Sequence, residues 1–136
     1  MADLKEFEQK AEELRVLGMK ISIGQDTVYE KYWDEDCRRN IYSASKSFTS
    51  CAVGFAVQEG LIDLDERLMD AFKEDIPNNP DENLKKATVK DLLTMTLGQE
   101  KGFRMGKQRP RMEEQDWVKA SLAIPFVYEP GTHFVY

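Results

Sequence analysis

Ser43-Ala44-Ser45-Lys46 sets a hydroxyl and an amine three residues apart. On a helix that spacing puts both side chains on one face, one turn from each other. A serine hydroxyl is a poor nucleophile until a neighbour takes its proton. Lysine can be that neighbour where burial and the positive end of a helix disfavour the ammonium form. A helix start also aims free backbone N–H groups at its mouth, so the N–H of Ser43 can act as one donor to an oxyanion. The spacing has a second reading, in which Ser43 or Ser45 caps the helix and Lys46 reaches into solvent. Spacing by itself favours this second reading. A lysine just ahead of a strongly apolar helix brings the two readings into balance.

The elements that must position these residues follow from the pattern on either side. Phe48, Cys51, Ala52, Phe55 and Ala56 mark one face of a helix over Ser45 to Glu59, and Thr49, Ser50, Val53 and Gly54 leave the other face bland. A helix that is apolar or small nearly all round belongs inside a protein, so this segment is expected to be the buried centre, with Gly60 ending it. Upstream, Leu4, Phe7, Ala11 and Leu14 predict an amphipathic helix over 3–16, with Gly18 as its C-terminal cap. Met19 to Ile23 and Thr27 to Trp33 read as a β-hairpin around Gly24-Gln25-Asp26, and 34–40 as a loop. Downstream, Asp65 is placed to cap a short helix carrying Leu68, Met69 and Phe72. Pro77 to Asn83 reads as a loop, and Thr88-Val89-Lys90-Asp91 as a capping-box start with Asp in place of Glu. Gln99 to Gln115, with Gly102, Gly106 and Pro110, reads as a long mobile loop. Asp116 can cap a helix through Ala123, Pro130-Gly131 a turn, and Thr132 to Tyr136 begins a strand.

Composition removes whole classes of function. The 136 residues have room for one domain, 1–136, and 41% hydrophobic with 32% charged residues is a folded, soluble mixture. A net charge of −6 leaves no basic stripe, and the charge-rich stretch Lys107 to Glu114 mixes both signs, so no nucleic-acid partner is expected. No run approaches the roughly 18 apolar residues of a membrane span. Met1 to Lys10 is acidic and charged, unlike a secretory signal, which reads as cytoplasmic unless a signal has been removed. Cys37 and Cys51 read as reduced structural thiols, and with His133 they do not make a zinc site, so no metal and no cofactor are expected. Gly54 to Gly60 lacks the G-K-[ST] of a phosphate loop. A Ser-His-Asp arrangement competes weakly, because Ile41-Tyr42 precede Ser43 instead of a G-x-S-x-G elbow. His133, the single histidine, reads as structural.

Four segments, in order, resemble the serine β-lactamase and penicillin-binding-protein family, in particular its class C and esterase-like branch. Tyr42-Ser-Ala-Ser-Lys-Ser-Phe-Thr-Ser50 is similar to its nucleophile segment, Glu59-Gly-Leu-Ile-Asp-Leu-Asp65 to the exit from that helix, and Leu92-Leu-Thr-Met-Thr-Leu-Gly98 to its LLTHTSG turn. Pro130-Gly-Thr-His-Phe-Val-Tyr136 is similar to the approach to its Tyr-x-Asn motif. The resemblance implies an α+β chain, a partial β-lactamase/transpeptidase-like fold with a mainly helical body and an N-terminal hairpin. It implies Ser43 as acylated nucleophile, Lys46 as its base and Tyr136 as proton shuttle, acting on a small-molecule amide, ester or β-lactam. Leu97 stands where the family often has Ser. The Asn of Tyr-x-Asn and the family's later Lys-Thr-Gly or His-x-Gly triplet do not occur in the sequence, so a shortened piece of a longer protein is expected, with the rest of the sheet lying beyond 136. The hairpin should then leave an unpaired edge that favours self-association. Tyr136 should fray and the second oxyanion donor be missing, so that the chain alone hydrolyses reporters negligibly. The alternative is a non-catalytic module or pseudoenzyme of the same fold.

Overall fold

In a computed structural model, which describes residues 4–35, 37–103 and 115–136, the amphipathic start of the chain forms α1 (Lys5–Glu13). Its apolar stripe is short, and Ala11 is its buried residue. The helix does not run to Gly18. Arg15 takes a left-handed φ of 56°, with Arg15 N–H bonded to the Glu12 carbonyl and Val16 N–H to that of Ala11. This is a Schellman ending built on arginine, and it frees Gly18 to begin β1 (Gly18–Ile23). β1 pairs antiparallel with β2 (Asp26–Tyr32), as the alternation predicts, with a register shift between Ile21 and Ser22. Met19, Ile21, Tyr29 and Lys31 are the partly buried positions of the ribbon. Glu8 of α1 accepts from Tyr29 Oη at 2.7 Å and from Lys31 Nζ at 2.5 Å, and Glu12 accepts from Trp33 Nε1 at 3.0 Å. These bonds tie helix to hairpin within one compact unit, Met1–Tyr42.

The second unit, Ser43–Tyr136, has a core of its own. Leu68, Leu84, Ala87, Val89, Leu97, Leu122 and Phe126 are buried together, with Ile62, Met69, Phe72, Ile76 and Leu93 packed against them. They come from α3 (Leu68–Ala71), α4 (Glu82–Lys86), α5 (Val89–Leu93), α6 (Trp117–Leu122) and the links between them. Asp65 does not cap α3. Arg67 holds the N-cap position instead, in extended backbone that bridges to Thr88, with Leu68 N–H on the Ala87 carbonyl and Val89 N–H on that of Glu66. The loop expected over Pro77 to Asn83 gives way to α4 from Glu82, because Leu84 and Ala87 have a core to enter. Thr88 and Asp91 form the expected capping box, and Asp116 caps α6 through the N–H groups of Val118 and Lys119. Leu97 fills the core where a serine would be a buried hydroxyl in need of a partner.

The largest departure concerns α2 (Ser45–Gln58), which follows a single 3₁₀ turn over Tyr42–Ala44. The apolar sequence predicts a buried centre; the helix has no buried residue, and Phe48 and Phe55 are 71% and 66% exposed. All-round apolarity says that a helix can be covered, and the core of this unit is assembled from other elements. Gly60 does end α2, with φ +71° and Schellman bonds from Gly60 N–H to Val57 and Leu61 N–H to Ala56. Cys51 on this helix and Cys37 are both free and exposed. Among the described residues no helix is long and apolar enough to cross a membrane. The expected mobile loop lies mostly outside the described residues, which leave out 104–114.

Candidate active site

Ser43 sits in the middle of the 3₁₀ turn, two residues before the first residue of α2, and Lys46 lies one turn further on. The N-cap position of α2 is Ala44, which has no capping side chain, and the Ser43 hydroxyl is turned elsewhere. It accepts a hydrogen bond from Lys46 Nζ at 3.2 Å and shares one with the hydroxyl of Tyr136. Lys46 Nζ also lies 3.4 Å from Tyr136 Oη and 5.1 Å from the centre of the Tyr136 ring. The three residues singled out in the sequence, with Ser43 and Tyr136 93 positions apart, thus meet through their functional atoms. Tyr136 is 63% exposed, and Lys46 is exposed where the sequence leads one to expect a partly buried amine. The open setting follows from α2, which carries no buried side chain.

The hydrogen bond with Ser43, and then that with Lys46, hold the Tyr136 hydroxyl below the ordinary tyrosine range. Both stabilise its phenolate form more than its phenol. Such a group gives up a proton more readily than a free tyrosine, as a proton shuttle must.

No strand forms over Thr132 to Tyr136, in place of the one expected. The segment has no β partner to pair with among the described residues and is fixed instead by the turn that follows α5. Met95 takes a left-handed φ of 57°, and α5 ends in Schellman bonds from Met95 N–H to Leu92 and Thr96 N–H to Asp91. Carbonyls of that turn and of Gly98 then receive the incoming chain. Tyr128 N–H bonds to Gly98 at 2.9 Å, Gly131 N–H to Thr96 at 2.8 Å and Val135 N–H to Met95 at 2.9 Å. Gly98 has φ +85°, and a Cβ there would run into the Tyr128 carbonyl, so both its conformation and its contact call for glycine. His133 stacks on Tyr128 with centroids 4.1 Å apart, and its Nδ1 is 2.8 Å from Thr132 Oγ1. It supports the approach to Tyr136 and stands apart from the bonds among Ser43, Lys46 and Tyr136. Among the described residues, no three His, Cys, Asp or Glu side chains gather as metal ligands would.

Met95 and Gly102, whose backbone abuts Tyr136, are not marked in the sequence. Methionine is not a residue one expects at φ > 0, and Gly102 reads as one more loop glycine.

Compared with models of protein families, residues 5–136 match the one described as Beta-lactamase. None of the curated proteins compared with the chain matches it.

Proposed function

From the premise that this chain belongs to the Beta-lactamase family, of the serine-hydrolase type, we propose that it carries an acyl-transfer site with Ser43 as nucleophile, Lys46 as base and Tyr136 as proton shuttle. The observation that carries the reading is the mutual contact of Ser43 Oγ, Lys46 Nζ and Tyr136 Oη. Its substrate is a small amide, ester or β-lactam. Ser43 Oγ attacks the carbonyl carbon while its proton passes to Lys46, which takes part in its neutral amine form, and the new C–O bond leaves a tetrahedral oxyanion. The Ser43 N–H, at the open end of the turn leading into α2, is one donor to that oxyanion. Collapse expels the leaving nitrogen or oxygen, which takes a proton from Tyr136, itself resupplied from Lys46 at 3.4 Å. Water then hydrolyses the Ser43 ester by the same groups in reverse order.

The test is covalent. Turnover by the chain alone is expected to be negligible, but capture by a reactive phosphonate is a single event that does not need turnover. Prolonged incubation of the chain with a fluorophosphonate, followed by intact-mass and peptide mass spectrometry, is expected to give one slowly formed adduct, on Ser43, that Ser43→Ala abolishes. An unmodified Ser43, or an adduct that persists in Ser43→Ala, would refute the assignment and leave a non-catalytic module of the same fold as the better reading.

A further inference from the structure

A proton shuttle at Tyr136, the reading on which this inference rests, requires its hydroxyl to be held beside Ser43 and Lys46. Burial of the ring does not hold it, since the residue is 63% exposed. Two backbone contacts flank it. On one side, Val135 N–H bonds to the carbonyl of Met95, whose left-handed φ presents that carbonyl outward. On the other, the backbone of Tyr136 lies so close to Gly102 that a Cβ at 102 would overlap the Tyr136 carbonyl oxygen and crowd its carbon. Both obstacles are backbone atoms, which cannot rotate aside as the end of a flexible side chain can. Gly102 does not have a φ in the left-handed region. Glycine there is explained by space and not by backbone conformation, and alanine would meet only the steric conflict.

We propose that Gly102 is a positioning residue for Tyr136, forming with the Met95 carbonyl a backbone seat that sets the distance of the Tyr136 hydroxyl from Ser43 and Lys46. Adding one methyl group at 102 must push the main chain at 136 away. The Met95–Val135 bond turns that push into a tilt about residue 135, and the hydroxyl, at the far end of the ring, moves most. A displacement of about 1 Å is enough to cost on the order of 10²-fold in a positioned reaction.

Gly102→Ala in the whole chain, with tyrosines labelled at ¹³Cζ and titrated by NMR, tests this. Tyr136, identified by its loss in Tyr136→Phe, is expected to ionise at higher pH in Gly102→Ala than in the wild type, because the bonds from Ser43 and Lys46 are weakened. Phe103→Ala, which disturbs the same segment and its contact with Trp117 but adds nothing at 102, is expected to leave that titration in place. This readout does not need Ser43 to react, so a shift in Tyr136 supports the seat even where fluorophosphonate labelling fails, and the two readings fail separately. An unchanged Tyr136 titration in a folded Gly102→Ala protein overturns the inference. Should that variant not fold, amide exchange in the wild type decides. Val135 N–H is expected to be protected, and exchange at the rate of an unstructured peptide overturns the seat.

Discussion

Replacing Lys46 by alanine separates a base from a solvated surface lysine, because the two predict effects of very different size. The substitution removes the 3.2 Å bond to Ser43, the 3.4 Å contact with Tyr136 and a cation 5.1 Å from the tyrosine ring. None of these is sheltered from water, so their worth to folding is small. An exposed cation–π contact contributes about 0.5–1 kcal/mol, and alanine's higher helix propensity returns part of it at a position inside α2. The melting temperature should therefore hardly move. The chemistry should respond far more, since a positioned general base contributes about 10²–10⁴-fold, or about 2.7–5.4 kcal/mol of barrier at 1.36 kcal/mol per tenfold. Lys46→Arg sharpens the contrast: it keeps a positive charge and donors but cannot take a proton at accessible pH. The assay is the rate of Ser43 modification by a fluorophosphonate, followed by intact mass, with thermal unfolding by circular dichroism in parallel. Both variants should keep the fold and lose labelling. Labelling of Lys46→Ala at the wild-type rate, or full rescue by Lys46→Arg, would show that the amine is not the base.

Two further predictions concern the supports. In the first unit, Lys31 and then Tyr29 hold the Glu8 carboxyl below its ordinary range, while partial burial and the bond to Glu8 push the Tyr29 hydroxyl up to about 12. The Glu8 contribution is present above the ordinary carboxylate value of 4.5 and is lost as pH falls through the lower folded value. The Tyr29 contribution is present below 10 and is lost as pH rises from 10 through about 12. Unfolding followed by Trp33 fluorescence should show both limbs, and Glu8→Gln should flatten both; a variant with the wild-type pH profile would refute the linkage. In the second unit, Thr88→Ala removes the hydroxyl that accepts from Asp91 N–H and donates to Asp91 Oδ2. It should cost about 1 kcal/mol, as N-cap losses typically do, read as a lower urea midpoint, and no change would mean that the box contributes nothing.

Local chemistry is legible wherever one residue type answers one need. The hairpin shows in its alternation, the start of α5 in Thr88 and Asp91, that of α6 in Asp116, and the end of α2 in Gly60. The endings at Arg15 and Met95 are not legible, because arginine and methionine are poor markers of a left-handed φ and stay there only when the surrounding bonds insist. The spacing of Ser43 and Lys46 can be read from helix geometry alone. Tyr136 cannot, since 90 residues separate it from Lys46, and it comes only from resemblance to a family. The burial expected of α2 fails for a physical reason. A sequence reports that a segment can be covered, whereas what covers it depends on tertiary contacts that no local pattern encodes.

That failure bears on how the three functional groups are held. Tyr136 is tied by the chain of backbone bonds at Gly98, Thr96 and Met95 to a turn whose neighbours Leu93 and Leu97 pack into the core, so its main chain inherits the stiffness of close-packed side chains. Ser43 and Lys46 have a weaker footing, for the helix that carries Lys46 buries none of its residues and half-buries only Val53, Ala56 and Val57. Their registration with Tyr136 therefore draws more on the hydrogen bonds of the site itself. These bonds do two things at once, orienting the three side chains and mooring the start of α2. In that arrangement, disturbing the Tyr136 side loosens Ser43 as well. It is for this reason that a methyl group at Gly102, which touches neither Ser43 nor Lys46 directly, is expected to act on both.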